Sequence, residues 1–254
     1  MSGFFGLFNY EKEGPGVEKD APQKKGFFLF FDLYFKNFWK LVVSSIWFIL
    51  LSIPVVTSGL AFAGFTNVAR NLAIDSHSFG TSDFFETIKK NWKQALPAGI
   101  INLLIFALLI WDLYFFYTVT TGIFSLVALA MVLTLLFIFI TMNFYLWTIM
   151  VTFKLKLKQI YVNSFKFAIL CLKRNILIVV SLLAIYAATI SLLFLNVNII
   201  TMLYTAIVLF VLPGFTFLLI EFNVFPKIKK HMIIPYYKDH PNEDLELRHR
   251  MGIE

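Results

Sequence analysis

The chain has 254 residues, 59% of them hydrophobic and 15% charged, with a mean hydropathy of +0.78. Soluble domains hold about 45–50% apolar and about 25% charged residues, so this apolar surplus excludes a soluble fold and indicates an integral membrane protein. The net charge of +7 fits lysines that flank membrane spans and meet anionic lipid, and no nucleic-acid partner is expected.

Residues 1–25 form a polar leader. The stretch 9–26 is Pro/Gly-rich, with no apolar segment ahead of a small-residue cleavage site, so the leader is expected to be retained rather than removed as a signal. FFLFFDLYF (27–35) follows. Asp32, Lys36 and Lys40 are spaced i, i+4, i+8, which draws one polar stripe along an otherwise apolar helix. Such a helix lies in the membrane interface, anchored by Lys36, Trp39 and Lys40.

Residues 41–66 contain LLSIPVVTSGLAFAGFT (50–66). Basic residues stand on both sides: Lys12 to Lys40 before, Arg70 and the cluster at 89–93 after. By the positive-inside rule both flanks are cytoplasmic, so the stretch must be a hairpin with its tip near Ser52–Ser58, broken at Pro54. Arms of about 13 residues reach only about 20 Å against a hydrocarbon core of about 30 Å. Each arm either borrows flanking residues or the hairpin is re-entrant. Gly59, Ala63 and Gly64 make a small-residue face suited to close helix packing, within the chain or against another subunit. The glycine spacing of GLAFAGFT resembles a phosphate-binding loop, but Phe65 occupies the place of its lysine, which argues against nucleotide.

DFFETI (83–88) repeats the amphipathic pattern. Asp83 and Glu86 have capping-box spacing, Phe84, Ile88 and Trp92 share a face, and Lys89, Lys90, Trp92 and Lys93 are the interfacial anchors. Two spans follow, roughly 96–118 and 123–151, joined by a turn at Thr118–Gly122 without Lys or Arg. Asn102 and Asn143 sit at similar depth, where they can hydrogen-bond across the pair. Asp112 stands among Trp111, Tyr114 and Tyr117, which reads as a solvated interfacial carboxylate, with a proton or cation site as the alternative.

A third basic region runs from Lys154 to Arg174 and includes SFKFAI (164–169). The spans 176–195 and 199–222 follow, joined by Asn196–Asn198, with a kink expected at Pro213–Gly214 and an interfacial ion pair between Glu221 and Lys227. The segments KNFWK (36–40), KKNWK (89–93) and KRNIL (173–177) suggest a threefold unit of interfacial helix plus hairpin. The expected fold is therefore an all-α polytopic membrane protein. A single membrane domain, 26–222, holds three cytoplasm-facing hairpins (about 41–70, 96–151 and 176–222), each preceded by an interfacial amphipathic helix. Both termini are cytoplasmic, and 223–254 is a cytoplasmic tail. Cys171 is the single cysteine, which excludes an internal disulfide. His77, His231, His240 and His249 lack metal-ligand spacing, and no nucleophile motif occurs, so neither a metal, a cofactor nor catalysis is expected.

FFGLFNYEKEGPGVEKDAPQKK (4–25), FFLFFDLYFKNFWKL, IPVVTSGLAFAGFTNVAR and TSDFFETIKKNWKQ together resemble the YesL family of bacterial membrane proteins, a domain of unknown function. The resemblance is densest from residue 3 to about 95 and beyond that is mainly one of hydropathy. It implies an accessory component of carbohydrate uptake in Gram-positive bacteria, encoded near ABC importers for oligosaccharides, with importer permease subunits and membrane lipids as partners. It carries no catalytic or ligand-binding residues to this chain. No ATPase loop and no EAA-type coupling segment is found, which agrees with an accessory rather than a pore-forming or ATP-hydrolysing role. A self-contained homo-oligomeric transporter or channel, and a lipid-interacting membrane-organising protein, are the alternative readings.

Overall fold

The structure is a computed structural model, and it describes residues 26–76, 78–193 and 199–239. The leader 1–25, His77, the turn Asn196–Asn198, His240, His249 and the end of the tail lie outside the described residues. Those described form helices and turns only: α1 (Phe27–Lys36), α2 (Phe38–Ser52), a short 3-10 turn (Val55–Thr57), α3 (Ser58–Ala73), α4 (Thr81–Thr118), α5 (Ile123–Thr152), α6 (Leu157–Leu170), α7 (Leu172–Leu193) and α8 (Ile199–Ile228). A π turn (Lys229–Ile233) carries α8 on into α9 (Ile234–Asp239).

Among the described residues, four helical stretches are long and apolar enough to cross a bilayer: α4, α5, α7 and the rod Leu203–Lys238. A fifth arises if α1 and α2, bent by 74° at their junction, count together. The molecule is a multi-pass membrane protein, and its surface agrees. On α4, Trp92 and Trp111 are 52% and 66% exposed. Nineteen residues separate them, about 28 Å of helix, which matches the ~30 Å hydrocarbon thickness between two aromatic belts.

α3 is the centre of the bundle. Nine of its residues are buried, from Gly59 to Leu72, and it packs on α2, α4, α5 and α8. Its closest approach is to α4: a Cβ built on Gly59 would stand 2.2 Å from the Ala95 carbonyl oxygen and 2.7 Å from the Gly99 Cα. Only paired glycines let two backbones come this near. Gly214 does the same for α8, where a Cβ would lie 2.9 Å from Leu41 Cβ on α2. Around these contacts aromatic rings fill the core. Phe65 stacks on Phe217 at 4.3 Å, and Phe62 on Trp147 at 5.4 Å.

The three expected interfacial helices are not three separate helices. α1 breaks from α2 at Asn37, and α6 from α7 at Cys171, but DFFETIKKNWKQ runs without interruption into the following span as one 38-residue helix, α4, with Pro97 inside it. The asparagines of the three similar segments nevertheless act alike. Each turns its side-chain amide back on a preceding carbonyl: Asn37 to Leu33, Asn91 to Thr87 and Asn175 to Ala168, at 2.9–3.0 Å. In α4 no helical bond is missing beneath Asn91, so the same residue decorates a helix there rather than stitching a break.

Two local expectations need correction. The start of α4 is not an Asp83–Glu86 capping box. Gly80, at φ +59°, precedes the helix, and Asp83 accepts from the Ser78 hydroxyl and the Phe79 N–H, while Glu86 pairs with Lys90 at 2.6 Å. The last span also does not end at residue 222. The helical rod continues to Lys238, because Phe225, Ile228, Ile233 and Tyr237 stay buried against the bundle.

Candidate functional site

A cavity of about 470 Å³ lies between α3, α4, α5, α7 and α8, a size typical of small-molecule sites. Its walls are mainly apolar, with Phe62, Phe106, Ile140 and Trp147 among them. Polar groups converge at two levels.

The first level joins α4, α5 and α6. The Asn102 amide donates to Asn143 Oδ1 at 2.6 Å, Asn143 donates to the Phe139 carbonyl at 2.9 Å, and the Tyr161 hydroxyl donates to Asn102 Oδ1 at 2.9 Å. Burial pushes the Tyr161 hydroxyl up to about 12, so it keeps its proton and remains a donor across the physiological range. Sequence spacing pairs the two asparagines, but Tyr161 comes from the amphipathic α6 and no periodicity in the sequence links it to them. The triad ties three helices together. Asn102→Ala will lower stability by about 1 kcal/mol, because it leaves Asn143 Oδ1 without its donor and the Tyr161 hydroxyl with only the Ala98 carbonyl at 3.3 Å. A double-mutant cycle with Tyr161→Phe, read by thermal unfolding in detergent, will return a coupling above about 0.5 kcal/mol, and additivity of the two changes would refute the bond.

Glu221 on α8 forms the second level. The expected interfacial pair with Lys227 is not made. Glu221 is only 1% exposed and turns inward to line the cavity. Its Oε1 accepts from the Thr148 hydroxyl at 2.6 Å, and its Oε2 has no hydrogen-bond partner among the described residues. The cation that acts on it is Arg70 of α3. Arg70 makes its hydrogen bonds elsewhere, to the Val151 carbonyl (3.2 Å), Thr152 Oγ1 (2.8 Å), Asn67 Oδ1 (2.6 Å) and Asn71 Oδ1 (3.0 Å). A guanidinium at the last carbonyls of α5 also meets the negative end of that helix dipole. Positive-inside reasoning treats Arg70 as a topology signal, and nothing in the sequence pattern marks it as a buried network residue.

The remaining candidates are dispersed. Gly59 and Gly64 both face α4 inside the bundle, Gly64 against Phe84, and Ala63 is fully buried beside them. The small-residue face is thus covered by the chain's own helix. Pro54 is exposed at the break between α2 and α3. Lys36 pairs with Asp75 at 2.7 Å, joining α1 to the end of α3. Trp39 is 75% exposed, Lys40, Lys89 and Lys90 are exposed as well, and Lys93 folds over the Trp92 ring at 5.8 Å. Asp112 is half-exposed at the opposite belt and does not line the cavity.

No curated protein and no solved structure matches the chain. Residues 41–113, from α2 through most of α4, match the family described as Protein of unknown function, DUF624, which is consistent with a YesL-type family.

Proposed function

We propose that the protein is a non-enzymatic subunit of the cell membrane that assists an oligosaccharide ABC importer by packing against its permease within the bilayer. The observation that carries this reading is how the intramembrane polar groups are used. Asn102, Asn143, Tyr145 and Asn175 bond to one another's helices or to neighbouring carbonyls, tying the bundle together. A conducting or sugar-translocating path needs polar groups turned to water. Apart from Glu221 and the bonded Asn102–Asn143 pair, the cavity is walled mainly by aliphatic and aromatic side chains, which do not suit a saccharide. This disfavours a self-contained transporter.

In this reading both termini and the lysine-bearing ends of α1, α4 and α6 face the cytoplasm, and the α4–α5 turn faces out. The first hairpin is re-entrant. Its tip exposes Ile53, Val55 and Val56, at 70%, 52% and 53%, which suits hydrocarbon better than water. Thr57 supports that placement by donating its hydroxyl to the Leu51 and Pro54 carbonyls, so the break is satisfied from within.

The test is mass spectrometry of what co-purifies with the tagged protein from native membranes in mild detergent, with cells grown on oligosaccharide. Stoichiometric permease and ATPase subunits are the expected result. Recovery of the protein alone, or only as a homo-oligomer, would remove the importer from the account.

A further inference from the structure

The three basic regions do not balance their charge in the same way. At α1, Lys36 pairs with Asp75 at 2.7 Å, and within α4, Lys90 pairs with Glu86 at 2.6 Å. The third region holds six cations, Lys154, Lys156, Lys158, Lys166, Lys173 and Arg174, and no carboxylate. The chain has no Asp or Glu between Asp112 and Glu221, of which the first lies at the opposite belt and the second is buried. All six cations are exposed, and among the described residues none has an ion-pair partner. Their counter-charge has to come from outside the chain.

The region stands at the membrane boundary. Gln94, two residues beyond Trp92, donates its amide to the Leu155 carbonyl at 2.9 Å, which sets the start of α6 at the level of that aromatic belt. Lys154 and Lys156 are exposed there, while Leu155 and Leu157 pack on the core. α6 buries Ile160, Ser164, Phe167 and Ala168 and turns a second apolar stripe outward. Val162, Phe165 and Ile169, spaced i, i+3, i+7, are 45%, 50% and 49% exposed. Lys158 and Lys166 stand four residues before and after Val162, on the same side of the helix.

A face that is apolar along its middle and cationic at its edges suits neither water nor bare hydrocarbon. Its complement is an amphiphile with an acyl chain for the stripe and an anion for the lysines. An acidic protein surface would have to bring carboxylates to a depth where the bilayer already offers phosphates.

We infer that the outer face of α6 is a binding site for an anionic phospholipid. Its acyl chain lies along Val162, Phe165 and Ile169, and its phosphate ester neutralises cations of which Lys158 and Lys166 are the nearest to the stripe. The inference goes beyond the importer reading and holds whether or not a permease co-purifies.

The test places the full chain in phosphatidylcholine nanodiscs doped with a photoreactive phosphatidylglycerol or, in parallel, a phosphatidylcholine with identical diazirine-bearing chains. Crosslinks are mapped by peptide mass spectrometry. Peptides from 154–174 are expected to carry about tenfold or more crosslink from the anionic lipid than from the zwitterionic one. Peptides from 27–40 and 81–93, where part of the charge is paired within the chain, are expected to show a clearly smaller excess. Lys158→Gln with Lys166→Gln alters only exposed side chains, so the protein should fold, and the excess at 154–174 should fall to the level at α1 and α4. Lys158→Arg with Lys166→Arg should keep it. Glycerol phosphate in solution should not compete, because it brings no chain for the stripe. Equal labelling by the two lipids, the same excess at all three basic regions, competition by glycerol phosphate, or an excess untouched by the glutamine pair would each overturn the site. So would an excess seen only after residues 240–254 are removed, which would give the face to Glu243, Asp244 and Glu246 of the chain's own tail.

Discussion

Gly59→Ala will cost the protein about 3 kcal/mol or more, a large effect for a single methyl group. The added Cβ would lie 2.2 Å from the Ala95 carbonyl oxygen and 2.7 Å from the Gly99 Cα. Both are backbone atoms and neither can swing aside, so α3 and α4 must separate along their whole interface. Overpacking a core side chain costs about 1–3 kcal/mol when neighbours can re-rotamer, and here they cannot. Gly99→Ala, whose Cβ would meet Gly59 Cα at 2.6 Å, should behave alike. Because each change already forces the helices apart, the double variant should cost clearly less than the two single costs together. Gly214→Ala offers a graded comparison. Its nearest obstacle, Leu41 Cβ, is equally fixed by the backbone but stands at 2.9 Å rather than 2.2 Å, so the expected cost is smaller. Midpoints of thermal or SDS unfolding in detergent decide the matter, and a Gly59→Ala protein as stable as the parent would show that α3 and α4 do not meet at that distance.

This result bears on how the sequence should be read. The small-residue face at Gly59, Ala63 and Gly64 is visible as a spacing, but spacing does not say what covers it. The partner, Gly99, is followed by an apolar run that reads as an ordinary span. Helix class and the long apolar spans are legible because hydropathy over about 20 residues is a strong constraint in lipid. The pairing of Asn102 with Asn143 is legible because a short turn fixes the register of two adjacent spans. What escapes is anything set by contacts between distant segments. Tyr161 and Arg70 lie in stretches whose local pattern is explained fully by interface and topology, and Glu221 sits close enough to lysines for an ion pair to be the plain reading. Thr57 is similar: its role at the α2–α3 break depends on the path of the turn, which Pro54 announces but does not specify. The uninterrupted α4 escapes for another reason. Pro97 marks a possible boundary in sequence, yet the helix passes through it.

Arg70→Met will be strongly destabilising alone and less so beside Glu221→Leu. Arg70 holds α3 to the end of α5 through Val151 and Thr152 while also acting electrostatically on Glu221, which α8 supplies. Removing the cation strips the buried Glu221 carboxyl of the opposite charge that acts on it, a loss of about 1–2 kcal/mol because the carboxyl can take up a proton instead. Glu221→Leu should be nearly neutral or stabilising, because it deletes an oxygen that has no bond to lose, and the single Thr148 hydroxyl proton can turn to the Phe144 carbonyl at 2.9 Å instead. The double variant then loses only the four hydrogen bonds that the Arg70 guanidinium donates to neutral acceptors, a cost it shares with the single variant. The cycle should therefore return a coupling of about 1 kcal/mol or more, although no hydrogen bond joins the two side chains. Arg70→Lys separates charge from geometry. It keeps the cation but cannot reach four acceptors in a planar fork, so it should recover the electrostatic part and leave the α3–α5 tie weakened. If Arg70→Met costs the same with Glu221 present or absent, Arg70 is a helix clamp only.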